Sequence, residues 1–385
     1  MVHTERTTAG GPLTGVRIVE IAGLGAGPFC GMMLADMGAD VVRVDRPTTP
    51  GDGGVLGRNR RSIALDLKAD SGRSLLFELI RRADGLVEAF RPGVAERLGF
   101  GPEACHAENP RLVFGRATGW GQQGPWHMMA GHDIDYIALS GVLSMIGPEG
   151  GAPVPPLNLV GDFGGGGLLL AFGMVCALLE TRTSGVGQVV DGAMVDGSAL
   201  LATMFFEMSA RERWSDDRGT NVLDGGAPYY DTYETSDGKW VAVGAVESQF
   251  WGSLVELLGI DATELPDKAD VAAWPLLRTR IATAIVTRTR EEWGELAAGT
   301  DACLAPILTP REVHNHPHHR ARESFIMVGD TLQPAPAPRF SRTAPHRPTP
   351  APSIGSDARA VLADWGLTET ETAAYEEVGA FGDRR

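Results

Sequence analysis

Cysteine is scarce in this sequence, and the few cysteines do not cluster. The chain of 385 residues has four, Cys30, Cys105, Cys176 and Cys303, and no C-x-x-C pair. Scattered thiols exclude a disulfide framework and the common zinc motifs. They are typical of a cytoplasmic protein that keeps its thiols reduced, and this is the location that we expect.

Positive charge and long apolar runs are also in short supply. Asp and Glu number 49 against 34 Lys and Arg, and the formal net charge of −15 excludes the basic face that a nucleic-acid partner requires. No apolar run reaches the roughly eighteen residues of a membrane span. The longest, at 168–179, is interrupted by Gly173 and predicts a buried helix. Residues 1–12 lack the apolar core of a signal peptide, and the last four residues differ from a peroxisomal signal.

The length and composition of the chain predict two domains. Apolar residues make up 43% and charged residues 22%, both ordinary for a globular protein, and 385 residues exceed one small core. We predict an α/β fold with a large Rossmann-like domain at 1–188, completed by 330–385. A smaller α+β domain with its linkers should occupy 189–329.

The start of the chain predicts a β-α-β unit. Residues 16–21 and 40–45 are apolar enough for buried strands, and 29–37 between them have helical spacing. Further strands are predicted at 62–67, 86–89 and 112–116, and helices at 71–83 and 164–181. The remainder predicts helices at 194–213, 249–258, 275–298, 356–365 and 369–375, a hairpin at 232–243 and an extended proline-rich segment at 333–352.

Two glycines after the first strand resemble part of a dinucleotide-binding turn. Gly23 and Gly25 have the required spacing, and Asp45 lies at a suitable distance to hold a ribose. The third glycine of that motif would fall at Pro28, which has no N–H to offer a pyrophosphate. The sequence therefore favours a glycine turn that binds no nicotinamide cofactor.

Basic residues gather in the first ninety positions of this acidic chain. Arg43, Arg58, Lys68 and Arg91 are the members of this group that we take as candidates for a phosphate-bearing ligand. Arg91 follows a predicted strand, where open α/β sheets bind ligands. These residues could equally be solvated surface cations, and the residues alone leave both interpretations open.

Two further candidates are proton-handling side chains in segments poor in charge. His132 follows Gly131 at a predicted helix start, where exposed N–H groups can receive an anion and an imidazole can transfer protons near neutral pH. Asp162 precedes four glycines and could be a base or a nucleophile. The alternatives are a structural histidine and a plain helix cap.

Glu247 and a group of histidines are less informative. Glu247 follows a strand-like segment and could be a solvated carboxylate or the orienting partner of a base. His314, His316, His318 and His319 meet no zinc-ligand spacing, so no metal site is predicted.

Several segments together resemble the family III CoA-transferase and racemase superfamily, and within it the racemases. The resemblance runs from about Gly11 to Arg342. It is carried by 12–20, 34–42, Arg91-Pro92-Gly93, Gly131-His132-Asp133-Ile134, Gly161-Asp162-Phe163, Asp224-Gly225-Gly226-Ala227-Pro228 and 243–247. In the related transferases the aspartate matching Asp162 is the acyl-accepting nucleophile, and no histidine is expected at position 132.

The resemblance implies an isomerase that interconverts the R and S forms of 2-methylacyl-CoA thioesters through an enolate. His132 and Asp162 would be the two bases, and Asp133 would hold the thioester oxygen through its backbone N–H. Glu247 of the partner subunit would pair with His132. Arg43, Arg58, Lys68 and Arg91 would lie near the CoA.

The same resemblance implies an interlocked homodimer with shared active sites. It implies no cofactor, since CoA is part of the substrate, and a place in fatty acid and lipid metabolism. The alternative activity is that of a CoA-transferase, which moves CoA between carboxylic acids through an aspartyl intermediate at Asp162.

Overall fold

The computed structural model describes residues 10–48 and 51–382 and divides into two compact units. The described parts of 1–140, 157–202 and 323–385 form a large unit, and 141–156 with 203–322 form a small unit. Compared with the predicted boundaries, 189–202 and 323–329 belong to the large unit and 141–156 to the small one. The prediction of a cytoplasmic location rests partly on residues 1–12 and 382–385, most of which lie outside the described residues.

A six-stranded parallel sheet is the centre of the large unit. Its strands are β1 (Arg17–Ile21), β2 (Asp40–Asp45), β3 (Arg61–Ala64), β4 (Gly85–Glu88), β5 (Val113–Thr118) and β6 (Val189–Ala193). Their order, β3-β2-β1-β4-β5-β6, is that of a doubly wound Rossmann sheet, with the reversal between β1 and β4. The mixed α/β class and the first five strands are confirmed. The edge strand β6 was not predicted, because three of its five residues are not buried and its Asp-Gly interrupts the apolar pattern.

Helices cover both faces of this sheet, as a parallel sheet requires. They are α1 (Ala26–Asp36), α2 (Asp70–Ile80), α3 (Val94–Arg97), α4 (Pro102–Glu108), α5 (Asp133–Leu139), α6 (Leu169–Ser184), α7 (Met194–Leu201), α13 (Ala358–Asp364) and α14 (Glu369–Glu377). One apolar core joins the sheet to α2 and α13, and the other joins it to α1 and α6. The C-terminal helices thus complete the large unit.

The helix predicted at 164–181 begins earlier and has a different form. Leu159–Leu168 is π-helical, and α6 continues from it without a break. Gly165, Gly166 and Gly167 are buried there against α7 and α1. A β-carbon on Gly165 would lie 2.6 Å from the Ser198 backbone nitrogen, so glycine permits this close packing.

The continuous stretch Leu159–Ser184 is, among the described residues, long and apolar enough to cross a membrane by length and composition alone. Core helices have the same composition, so this is weak support for a span. One face is buried under the sheet through Leu170, Ala171 and Met174. The other face is exposed, so the helix expected to be buried is buried on one side only.

The small unit contains a three-stranded antiparallel sheet, with helices on the chain before, between and after its strands. Its strands are β7 (Tyr230–Glu234), β8 (Trp240–Gly244) and β9 (Leu304–Pro306), and the predicted hairpin is confirmed as β7–β8. The helices are α8 (Thr203–Ala210), α9 (Ser248–Leu257), α10 (Trp274–Ile285), α11 (Arg290–Ala297) and α12 (Pro317–Arg322). Short 3₁₀ turns lie in this unit at Val142–Met145, Ala262–Glu264, Val271–Ala273 and Val313–Asn315, and in the large unit at Val55–Gly57.

Two predicted long helices are wrong, because each is two helices. The helix expected at 194–213 breaks at Ala202 between α7 and α8, where the chain passes from the large unit to the small one. The helix expected at 275–298 stops before Thr289, whose side chain caps α11 and whose backbone N–H donates to Glu292. Apolar periodicity continues across both breaks and hides them.

The proline-rich segment lies within the large unit, to which the chain returns after Arg322. It follows an antiparallel hairpin of β10 (Phe325–Val328) and β11 (Thr331–Pro334), which was not predicted. Beyond Pro334 no regular element occurs until α13, as expected. The segment is held by hydrogen bonds such as the one from the Thr349 N–H to Asn59 (2.8 Å). Just beyond it, before α13, Asp357 accepts the Ser62 N–H (2.9 Å).

Candidate active site

A cavity of about 530 Å³ opens in the large unit beyond the carboxyl ends of β1, β4 and β5. Ligands bind at this edge of open α/β sheets. Three connections that follow strands contribute to the cavity wall, together with the segment before α5 and the π-helical segment. Its lining residues include Leu24, Gly25, Phe90, Arg91, Trp120, His127, Met129, His132, Tyr136, Asp162 and Met194.

His132 is positioned at the start of α5, as its sequence context predicts. Its backbone is extended (φ −131°, ψ 175°), and Asp133 is the first helical residue. The His132 N–H donates to the Asp135 carboxylate at 2.9 Å. This contact holds the backbone that carries the imidazole at the cavity wall.

Asp162 lies in the π-helical segment and lines the same cavity. Its Oδ2 accepts a hydrogen bond from Asn158 Nδ2 at 3.1 Å. Gly25 faces this carboxylate, and a β-carbon there would lie 3.1 Å from Oδ2. The predicted glycine turn is therefore present (φ +64° at Gly25), and it leaves room beside Asp162.

Asp133 links the two segments from behind the cavity wall. Its Oδ1 accepts the Asp162 N–H at 2.6 Å, and the residue is 6% exposed. Burial raises the pKa of the Asp133 carboxyl, and the nearby charge of Asp162 adds to the rise. The hydrogen bonds that the carboxyl accepts from backbone N–H groups lower this pKa in part. Its Oδ2 is buried and has no hydrogen-bond partner among the described residues.

An aromatic group that the sequence interpretation missed forms part of the cavity. Trp120 packs edge-to-face against Tyr136 at 4.8 Å between ring centroids and against Trp126 at 5.1 Å. The Tyr136 hydroxyl donates to the Gly131 carbonyl, and burial raises the pKa of Tyr136 to about 12. The sequence signal for this group is its two glycines, Gly119 and Gly131, which both face the Tyr136 ring and leave it space.

The cavity also holds a second histidine and two methionines. His127 forms a hydrogen bond through Nδ1 with the Gly124 carbonyl at 2.8 Å. The methionines are Met129 and Met194. His127 was missed because nothing in its local sequence sets it apart from a surface residue.

Two of the four basic candidates line cavities. Arg91 lines the cavity with His132 and Asp162. Lys68 lines a second cavity of about 580 Å³ at the ends of β1, β2 and β3, together with Arg46. Phe90 lines both cavities, so they adjoin.

The other two basic candidates are buried and bound to carboxylates. Arg43 Nε lies 2.9 Å from Asp45 Oδ2, and Arg58 Nε lies 3.1 Å from Asp36 Oδ1. Arg58 also donates to Gln333 Oε1 at 3.1 Å. Their head groups therefore hold the chain's own segments together, although Nη2 of Arg43 is left without a partner among the described residues.

Glu247 belongs to the small unit, where it precedes α9 and is exposed. Its charge acts on Lys268, whose pKa is lowered by burial and raised in part by Glu247. Among the histidines at 314–319, the ring of His319 packs against those of His316 and His318. Within residues 10–48 and 51–382, no group of three or more His, Cys, Asp or Glu side chains is arranged to hold a metal ion.

The family model described as CoA-transferase family III matches residues 13–358, which include His132, Asp162 and Glu247. The chain belongs to this family. The resemblance inferred from the motifs is thereby confirmed at the level of the family.

Curated relatives and solved structures agree with this assignment. Alpha-methylacyl-CoA racemase of Mus musculus is 48% identical over 93% of this chain and 94% of its own length. Alpha-methylacyl-CoA racemase of Homo sapiens is 45% identical over the same shares. A CAIB/BAIF family protein from Brucella suis is 26% identical, with a TM-score of 0.79 over 92% of this chain and 100% of that structure.

Proposed function

We propose that this chain interconverts the R and S forms of 2-methylacyl-CoA thioesters by removing and returning the α-proton. The observation that carries the proposal is that His132 and Asp162 line one cavity of about 530 Å³. A transferase needs the aspartate alone. The similarity to racemases of mouse and human, at 48% and 45% identity, supports the isomerase reading.

The chemistry requires two proton-transferring groups. A hydrogen beside a thioester carbonyl is a weak acid, and a single base returns the proton to the face from which it came. In one direction neutral His132 takes the proton, the C–H electron pair moves to the carbonyl oxygen as an enolate, and protonated Asp162 delivers a proton to the opposite face. In the other direction the roles exchange. A well-placed base contributes about 10²–10⁴-fold to such a step.

The enolate oxygen needs a hydrogen-bond donor. The Asp133 N–H is at the first residue of α5, next to His132. A donor aimed at a developing oxyanion is worth about 3–4 kcal/mol in comparable sites. We therefore assign this N–H to the thioester oxygen, and the reaction uses no cofactor because CoA is part of the substrate.

The second cavity is suited to the nucleotide end of CoA. Lys68 and Arg46 provide positive charge there, and Arg91 provides it in the adjoining catalytic cavity. The contacts of Arg43 and Arg58 support an indirect part in CoA binding, through the segments that they hold. This arrangement would place the acyl group beside Trp120 and Met194.

We further propose an interlocked homodimer with shared active sites, working in the cytoplasm. Leu168, at the end of the π-helical segment, and Phe172, Val175 and Leu179 of α6 form an exposed apolar stripe, between 38% and 66% exposed. Their spacing puts them on one helix face, and such faces mark interfaces. In this dimer Glu247 of the partner subunit would pair with His132.

Deuterium incorporation tests the activity. A single epimer of a 2-methylacyl-CoA, incubated in D₂O with the enzyme, should gain one deuterium at the α-carbon as its configuration inverts, measured by mass spectrometry and chiral analysis. Inversion without solvent label would contradict an enolate.

The alternative, a CoA-transferase, rests on Asp162 and on the family to which the chain belongs. It predicts an acyl adduct on Asp162 when the protein is mixed with acyl-CoA, visible as a mass increase in the intact protein. A trapped adduct together with transfer of CoA to a free acid would favour the transferase over the racemase.

A further inference from the structure

We infer that the carboxylate of Asp133 is a positioning residue that fixes Asp162 relative to His132 for inversion. This role rests on the two-base reaction proposed above. It is separate from the part assigned to the Asp133 backbone N–H, because it uses the side chain and acts on the protein instead of the substrate.

The side chain joins the two catalytic segments by a short path. Asp133 is adjacent to His132 in the chain, and its Oδ1 accepts the Asp162 N–H at 2.6 Å. Along the chain Asp133 and Asp162 are separated by 29 positions, which include 141–156 of the small unit. The hydrogen bond therefore gives a direct connection between the backbones that carry the two bases.

The surroundings of this carboxylate are built for close approach. A β-carbon on Gly161 would lie 2.5 Å from Oδ1 and 2.8 Å from Cγ of Asp133, so only glycine lets the π-helical segment come this near. Asp133 is 6% exposed, and its Oδ1 is bonded to the Asp162 N–H. Its side chain is thus placed to act on Asp162 and not on a bound thioester.

The polar chemistry indicates that the accepting oxygen matters more than the charge. Oδ1 receives the Asp162 N–H, whereas Oδ2 is buried without a partner among the described residues. A buried carboxylate oxygen with no donor is costly. An asparagine, with the same shape and one accepting oxygen, should preserve the connection.

Loss of the connection has a consequence particular to inversion. His132 alone can take the α-proton of the epimer that faces it, exchange its imidazolium proton with solvent, and return a deuteron to the same face. Inversion also needs Asp162 in place on the opposite face. Misplacement of a reacting group by about 1 Å can cost 10²-fold. A displaced Asp162 should therefore reduce inversion far more than exchange.

The test compares Asp133→Ala and Asp133→Asn with wild type, starting from each epimer separately in D₂O. For Asp133→Ala we expect inversion to fall by about 10²-fold. Exchange with retention should persist, within about tenfold, from one epimer only. Asp133→Asn should restore the ratio of inversion to exchange. Gly161→Ala, which pushes on the carboxylate from the other side, should lower this ratio as Asp133→Ala does.

Asp357→Ala is the matched control, because the Asp357 carboxylate also accepts a backbone N–H, from Ser62 at 2.9 Å, in contacts away from the cavity. It should lower the melting temperature and leave the ratio unchanged. A ratio unchanged in both Asp133→Ala and Gly161→Ala, or an Asp133→Asn variant as impaired as Asp133→Ala, would overturn the positioning role. If wild type itself inverts without label, the proposed function fails instead.

Discussion

At the scale of single residues, the two histidines of the catalytic cavity differ in what holds them. His132 stands at the first turn of α5 with its N–H bonded to Asp135, whereas the ring of His127 is bonded to the Gly124 carbonyl. Both line the same cavity, so their positions alone make either a candidate base. Substitution of each in turn separates them.

His132→Ala should lower racemisation by about 10²–10⁴-fold, because it removes one of the two proton-transferring groups. His127→Ala should keep α-proton exchange within about tenfold of wild type. Initial rates of inversion and of deuterium uptake, measured on the same samples, give both numbers. The assignment of the base would be wrong if the two variants exchanged these results.

Gly25 offers a second residue-scale prediction. Its φ of +64° is unfavourable for any side chain, and a β-carbon would touch the Asp162 carboxylate. Gly25→Ala should therefore lose about 1–3 kcal/mol of stability from backbone strain and lose catalytic rate as well.

Gly54→Ala is the control for that strain. Gly54 has a φ of +58°, and a β-carbon there would meet nothing within 4 Å. The Gly54→Ala variant should lose a similar amount of stability, measured by chemical denaturation, while its kcat stays near the wild-type value. Equal loss of kcat in both variants would show that contact with Asp162 is not the cause.

The candidate site was only partly accessible from sequence at this scale. His132, Asp133 and Asp162 could be found because a motif and a helix start identified them. Arg43 and Arg91 are both arginines in or just after strands of the same sheet, yet Arg43 is buried against Asp45 and Arg91 lines the cavity. Partners distant in sequence decide such differences, and one sequence does not display them.

At the scale of elements, the π-helical segment contains Asp162 and, two residues later, four successive glycines. Gly165→Ala should destabilise the protein by about 1–3 kcal/mol, because the new methyl group would press on the α7 backbone at Ser198 and Gly197. Activity should fall as well, since the segment that holds Asp162 must shift.

Gly173→Ala in α6 is the comparison. Its β-carbon would meet the side chain of Val190, at 2.9 Å, whereas that of Gly165 would meet backbone atoms of α7. Alanine also favours a helix by roughly 0.5–1 kcal/mol over glycine. Urea unfolding midpoints should therefore separate the two variants, and a stable, active Gly165→Ala variant would contradict the packing argument.

The accuracy of prediction for elements follows from how local their determinants are. β1, β2 and the β7–β8 hairpin are specified by apolar runs and by the turn Ser236-Asp237-Gly238, all within a few residues. The π-helical form of Leu159–Leu168 depends instead on backbone contacts with α7 and α1, far along the chain. The break at Ala202 likewise coincides with a passage between units.

At the scale of the whole molecule, the exposed stripe on α6 makes assembly testable. Phe172→Asp places a charge at the middle of that stripe, where Phe172 is 65% exposed. If the proposed dimer forms through this stripe, we expect a shift from dimer to monomer at micromolar concentration, seen by sedimentation velocity. Activity should be lost with it, because the proposed dimer shares its active sites.

Val378→Asp is the matched substitution, at a 63% exposed apolar residue that follows α14. It should leave both sedimentation and activity unchanged. A Phe172→Asp protein that sediments as wild type does would remove the stripe from the proposed interface.

The chain crosses between its two units four times, after residues 140, 156, 202 and 322. The first two crossings fall between His132 and Asp162, so part of the small unit is inserted in the chain between the two proposed bases. The small unit is therefore not a module that can be exchanged as one continuous cassette. In the native protein Arg218 donates to the Ser144 and Gly151 carbonyls. A chimera that replaces only 203–322 would keep the native 141–156 and lose this matched pairing with the rest of the small unit. Recombination among relatives is thereby confined to exchanges that carry both inserts together.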